Sequence, residues 1–205
     1  MSKSPTAAVK PFSDELEDWL KSHKPKTLLS LDKVFAEKSF AVLFVILLAI
    51  PALPVPTGGF SHVFEAVAIL IALQMVAGRR NLWLPKRWRR LGLGKTMQSA
   101  VMPKLISLIR WLEKYSRPRV ARLLRSKLLL RLYGVAVIIF SATAFIAIPF
   151  SMLDTLPALG VVLMSLGIIL EDFLFFLVGL TVGSIGLGLV IALGKATFDL
   201  LNKFF

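Results

Sequence analysis

The chain has 205 residues, 56% of them hydrophobic, and a formal net charge of +13 from 25 Lys and Arg against 12 Asp and Glu. Soluble domains use roughly 45–50% apolar residues, and here apolar residues and charges lie in separate blocks, a segregation that a bilayer imposes and one water-soluble core does not. There is no cysteine, which excludes disulfides, thiol redox chemistry and cysteine-based metal sites. The basic excess lies beside membrane-length apolar segments, so its partner is an anionic lipid bilayer and no nucleic acid is called for.

Residues 1–38 read as a cytoplasmic arm, not a signal peptide, because Lys, Asp, Glu and Pro interrupt them throughout. From Ser13, SDELEDWLKSH has acids in its first turn and Lys and His near its end, a helix whose Trp19 and Leu20 rest on a surface. A second short amphipathic piece covers 28–38.

Residues 39–85 form a first membrane hairpin unit. The apolar block 39–51 covers only about 18 Å before its proline at a rise of ~1.5 Å per residue, short of the roughly 30 Å hydrocarbon layer. Pro51, Pro54 and Pro56 remove amide donors and favour extended backbone, and Gly58 and Gly59 permit a reversal. A second apolar block, 60–77, contains His62, Glu65 and Gln74 and ends at a cationic, aromatic edge with Arg79, Arg80 and Trp83.

Residues 86–127 form a basic interfacial segment. The wider stretch 79–131 holds sixteen Lys and Arg and one acid, Glu113. Met102, Leu105, Ile106, Leu108, Ile109, Leu112 and Tyr115 recur at three- and four-residue spacing, which predicts a helix lying in the headgroup plane on the cytoplasmic side. Arg87, Arg89 and Arg90 are the expected lipid-facing charges.

A second hairpin unit covers 128–172. Its first block is long enough to span, breaks at Pro149, and continues through a link containing Asp154 to a short helix that begins with Pro157 and ends at Glu171 and Asp172. Residues 173–205 are a glycine-rich span and tail. Gly179, Gly183 and Gly188 give that span small-residue faces for helix packing, within the chain or between copies of a homo-oligomer, a dimer being favoured.

The two units resemble each other. The run from Ala66 aligns without gaps on the run from Ala158, at an offset of 92, and Ala49-Ile50-Pro51 matches Ala147-Ile148-Pro149, at an offset of 98. Repeated short segments interrupted by proline mark broken helices beside a pathway. The expected fold is therefore an all-α integral membrane protein that crosses the bilayer more than once. It has two related helix–break–short helix units, the short helices re-entrant or in ordinary hairpins.

Polar groups inside apolar blocks cost free energy to insert and mark sites. His62 and Glu65 lie one helical turn apart, and Asp154 falls opposite His62 under the 92 offset, so the three predict an ion or proton relay where the two links meet; capping at the membrane surface is the plainer alternative. Gln74 is expected deeper in the same pathway, or in a structural contact. Arg79 and Arg80 stand where the other unit has Glu171 and Asp172, so ion pairs between repeats or between subunits are expected. No catalytic apparatus is recognisable: Gly94-Lys95-Thr96 lacks the earlier glycine of a phosphate loop, two histidines make no metal cluster, and no nucleophile elbow surrounds Ser61. No cofactor is expected.

Ala49-Ile50-Pro51-Ala52-Leu53-Pro54-Val55-Pro56-Thr57-Gly58, Ala72-Leu73-Gln74 running into Gly78-Arg79-Arg80, Trp83-Leu84-Pro85, and Leu170-Glu171-Asp172 resemble the ExoD family of bacterial membrane proteins over residues 28–193. Phe173 departs from the glycine expected there. The resemblance implies an inner-membrane location and a role in exopolysaccharide production and stress tolerance. Function then divides between a small-ion or solute transporter and a non-transporting scaffold or regulator of polysaccharide synthesis or export.

Overall fold

The computed structural model describes residues 10–23, 25–27, 30, 38–54, 61–79, 98–99, 102–116, 121–124, 126–147 and 151–204. Pro56, Arg80, Arg87, Arg89, Arg90, Pro149 and most of 28–38 lie outside them. The described chain is all helical apart from its turns. Its helices are α1 (Phe12–Lys21), α2 (Ser39–Leu48), α3 (Ser61–Val76), α4 (Met102–Glu113), the single turn α5 (Ala121–Leu124), α6 (Lys127–Ile146), α7 (Thr155–Leu170) and α8 (Phe173–Phe204). Two of these are long and apolar enough to cross a membrane, Lys127–Ile146 and Phe173–Ala196.

Helix ends follow local chemistry. α2 stops at Leu48, two residues before Ile50-Pro51, and α6 stops at Ile146, two before Ile148-Pro149. Pro51 lacks the amide that would continue the hydrogen-bond ladder of α2, although Ala52 still donates to the Leu48 carbonyl. At the end of α6, by contrast, Ala147 has already left helical geometry with ψ 143°. α3 and α7 close with the same hydrogen-bond pattern. The Gly78 and Arg79 amides donate to Met75 and Gln74, and the Glu171 and Asp172 amides donate to Ile168 and Gly167. The residue at the turn is left-handed in both, Gly78 with φ 78° and Glu171 with φ 56°. These caps relate the helices by 93 residues, one more than the apolar alignment offers.

The four helices of the two units exchange partners: α3 packs on α6, and α2 on α7. α8 then lies along α7. Lys38 at the start of α2 donates to the Ile169 carbonyl at the end of α7 (2.8 Å), and the end of α3 at Gly78 lies beside Arg131 of α6. α2 and α6 thus both begin at one end of the bundle, here called basal, and both breaks lie at the other, apical end.

The core is packed to backbone contact where α7 meets α8. A Cβ placed on Gly160 would lie 2.4 Å from the Gly183 Cα, and one on Gly179 would lie 2.3 Å from the Met164 amide nitrogen. Gly179 and Gly183 are therefore packing residues within the chain, whereas Gly188 faces open space. Gly186 meets Pro157. Tyr133 fills the centre, its ring edge-on to Phe44 at 5.8 Å, its hydroxyl 2.5 Å from Ser165. Ser165 donates to the Val161 carbonyl, so the Tyr133 hydroxyl is the donor to Ser165.

The surface on which the amino-terminal helix rests is part of the chain: α1 docks on α4, burying Phe12, Leu16 and Trp19 with Met102, Leu105, Ile106, Ile109 and Leu112. Fully burying side chains of this size contributes about 1.5–3 kcal/mol each, more than a headgroup layer recovers for a half-immersed helix. Glu113, the one acid of the basic stretch, accepts from the Ser13 amide (3.0 Å) and hydroxyl, and Arg110 pairs with Asp14 and Glu17. The predicted amphipathic helix exists as α4, but its main apolar face is covered by α1.

Candidate functional site

At the apical end the first turns of α3 and α7 meet. Asp154 occupies the N-cap position of α7 in a helical conformation, and its carboxylate caps nothing of its own helix. It accepts instead from the Ser61 hydroxyl of α3, at 3.1 Å. Ser61 and Asp154 are themselves 93 residues apart, the same separation as the two helix caps.

One turn into α3, Glu65 is fully buried and its Oε2 lies 3.1 Å from His62 Nδ1. The His62 ring is partly exposed and rests against Phe145 of α6, with centroids 5.3 Å apart. Glu65 Oε1 has no hydrogen-bond partner among the described residues, and neither has Ser141 Oγ on α6. A buried, unpaired polar atom costs roughly 1–3 kcal/mol and more when charged, so such atoms persist where a further ligand or a function uses them.

His62, Glu65 and Asp154, separated by up to 92 residues, are thus brought to one place. The hydrogen bonds that form are Ser61 to Asp154 and His62 with Glu65, which is no serine–histidine–aspartate relay. The arrangement can hold a proton or bind a small polar species between two carboxylates. Gln74 does not join it: it lies near the other end of α3, its amide donating to the Leu70 carbonyl at 3.3 Å. Among the described residues no group of three metal-binding side chains is assembled. Polar core groups missed from sequence include Ser39, Ser141, Thr143, Tyr133 and Ser165; a serine inside an apolar helix gives no sign of its partner before the neighbouring helix is known.

Glu171 pairs with Lys38 of α2, at 3.2 Å, a different cation from the arginines that the sequence sets against it. Asp172 caps α8 by accepting from the Leu174 amide at 2.9 Å.

A family model described as exopolysaccharide synthesis, ExoD, matches residues 12–192, from α1 into α8 and through the whole site. The chain belongs to the ExoD family. It is 33% identical over 165 residues to Protein ExoD of Rhizobium meliloti, covering 76% of this chain and 68% of that protein. It is 30% identical over 164 residues to an uncharacterized protein of Synechocystis, covering 78% of this chain and 76% of the relative. No solved structure matches. The family link is to exopolysaccharide synthesis, and it places the apical cluster in a chain of that class.

Proposed function

We propose that the chain is an inner-membrane transporter or channel-like protein for a small ion or solute, with its pathway at the junction of α3 and α7. The observation that carries this reading is the Ser61–Asp154 bond beside the buried Glu65, which joins two short helices at their broken ends.

Depth supports it. Gly186, which meets Pro157 at the start of α7, lies about 20 Å along α8 from Phe173 at ~1.5 Å per residue. The apolar run of α8 continues to Leu193, about 10 Å further. If α8 spans, both breaks lie within the hydrocarbon layer, and irregular backbone survives there only where it is buried in protein or lines a polar route. Up to Leu193 the exposed residues of α8, among them Leu174, Ile185, Leu189 and Ile191, are apolar or glycine except Thr181 and Ser184. Those two hydroxyls donate to the Leu177 and Leu180 carbonyls of their own helix, as lipid requires. The two units are read as a duplication with a parallel pseudo-two-fold axis running along the bundle through Ser61 and Asp154. By the positive-inside rule the basal end is cytoplasmic.

The test is flux in proteoliposomes carrying the purified full chain, loaded with a pH-sensitive dye and separately with Na+, K+ and Cl− indicators. Glu65→Gln and Asp154→Asn should each lower the flux at least tenfold while the protein stays monodisperse. Flux indistinguishable from protein-free vesicles for every ion would move the reading to the scaffold or regulator, for which the docked α1–α4 pair at the basal end offers a surface.

A further inference from the structure

α4 is apolar on two sides, and among the described residues only one is covered. On the side away from α1, Leu108, Trp111 and Tyr115 remain 44, 53 and 65% exposed, and the Trp111 and Tyr115 rings lie 5.2 Å apart. Together with the exposed Lys104 they follow the three- and four-residue spacing of one helix strip, with Lys114 beside it. The other charges of this helix are spent internally, Arg110 on Asp14 and Glu17, and Glu113 on Ser13. The strip is therefore aromatic and cationic.

Its position is set by the residue after Tyr115. The Ser116 hydroxyl lies 3.4 Å from the carboxylate of Asp172, which caps the first turn of α8. The carboxyl end of α4 thus sits at the start of α8, the more apolar of the two helices long enough to span, where a bilayer changes from hydrocarbon to headgroups. Tryptophan and tyrosine concentrate at that level because one edge of each ring is apolar and the other wet.

We infer that Leu108, Trp111 and Tyr115 are an interfacial anchor, entering the headgroup layer of the bilayer that α8 crosses, while Lys104 and Lys114 engage the phosphates of anionic lipids. Of the residues that periodicity selects, Leu108 and Tyr115 then face lipid with Trp111, while Met102, Leu105, Ile106, Ile109 and Leu112 are buried in the core. The anchor rests on α8 being a span and not on transport.

The chain has no cysteine, so nitroxide labels at Trp111→Cys, Tyr115→Cys and Ile185→Cys report single positions in the full-length protein. The proteoliposomes contain zwitterionic lipid with or without phosphatidylglycerol. The expected result is that labels at 111 and 115 collide more often with oxygen than with a water-soluble nickel chelate, at a shallower depth than the label at 185. Adding phosphatidylglycerol should deepen them, and Lys104→Glu with Lys114→Glu should abolish that response. Nickel-dominated collisions at 111 and 115 with a lipid-like label at 185 would overturn the anchor and leave the span intact. Protection from both reagents would overturn it in favour of a protein cover, and an aqueous label at 185 would remove the membrane reading itself.

Discussion

α3 and α7 are the second helices of their units, 16 residues each, with the same cap, yet their surroundings differ. α7 is buried over most of its surface, whereas α3 leaves Val63, Leu70 and Leu73 about half exposed or more, at 61, 53 and 49%. The cause is α8, which covers α7 and packs on no comparable face of α3 among the described residues. The contacts also differ in kind. α7 meets α8 backbone to backbone through glycines, while α3 meets α6 at Gly134 through the side chains of Val76 and Met75. The site draws unequally on the two helices: Ser61, His62 and Glu65 come from the open one, and only Asp154 from the enclosed one. Partly exposed His62 beside buried Glu65 is how the open helix connects surface to interior.

The contrast is most exposed to failure at the glycines. Gly160→Ala puts a methyl group against the Gly183 backbone and should cost about 3 kcal/mol, the upper part of the usual range for overpacking. Gly134→Ala presses on the side-chain ends of Val76 and Met75 and meets the Ala72 carbonyl only at an ordinary contact distance of 3.4 Å. It also gains helix propensity of up to ~1 kcal/mol, so it should cost far less than Gly160→Ala. Thermal unfolding in detergent measures both; equal losses would erase the distinction between the two interfaces.

Glu113→Ala strips the buried Ser13 of its acceptor and should cost roughly 1.5–3 kcal/mol, the usual worth of a hydrogen bond to a charged group. Hydrogen exchange should then speed up in α1 and α4 while α3 and α7 keep their protection. Loss of protection in α7 as well would mean that the basal cap and the bundle are one cooperative unit. A smaller loss, about 1 kcal/mol, is expected for Tyr133→Phe, which removes the donor to Ser165 and leaves the ring packing unchanged. An unchanged melting temperature would show that this bond does not hold α6 to α7.

The smallest effect is in pH. Lys21, and after it Arg110, hold the Glu17 carboxyl down from 4.5 to about 2. Its folded value is depressed, so its contribution to α1 docking is present above the ordinary glutamate value. It is lost as pH falls through about 2. The pair is exposed, so the loss should be slight and weaker still in high salt. Exchange in α1 that is flat across this window would remove Glu17 from the latch.

Much of this was legible in advance because it is local. The apolar blocks became α2, α3, α6, α7 and α8 with ends within a few residues, since proline, turn residues and charges act on their own segment. Only α8 ran on well past its apolar stretch, through the tail to Phe204. The meeting of His62, Glu65 and Asp154 followed from polar groups placed next to helix breaks, where insertion costs leave few alternatives. What misled was the assignment of faces. The stripe on α4 was correctly amphipathic, but its occupant was α1, because periodicity records that a face is buried and not by what.

The sequence by itself determined the class of the chain, its helical segments, its breaks and the residue types at the apical junction, since each depends on the free energy of a short segment in its solvent. Only the tertiary structure decided the 93-residue register that sets Ser61 against Asp154, the Lys38–Glu171 pair, the cover over α4 and the open side of α3. Those depend on which surfaces fit one another across distant parts of the chain. Close packing makes that fit a property of side-chain and backbone shape, which no local pattern of hydrophobicity encodes.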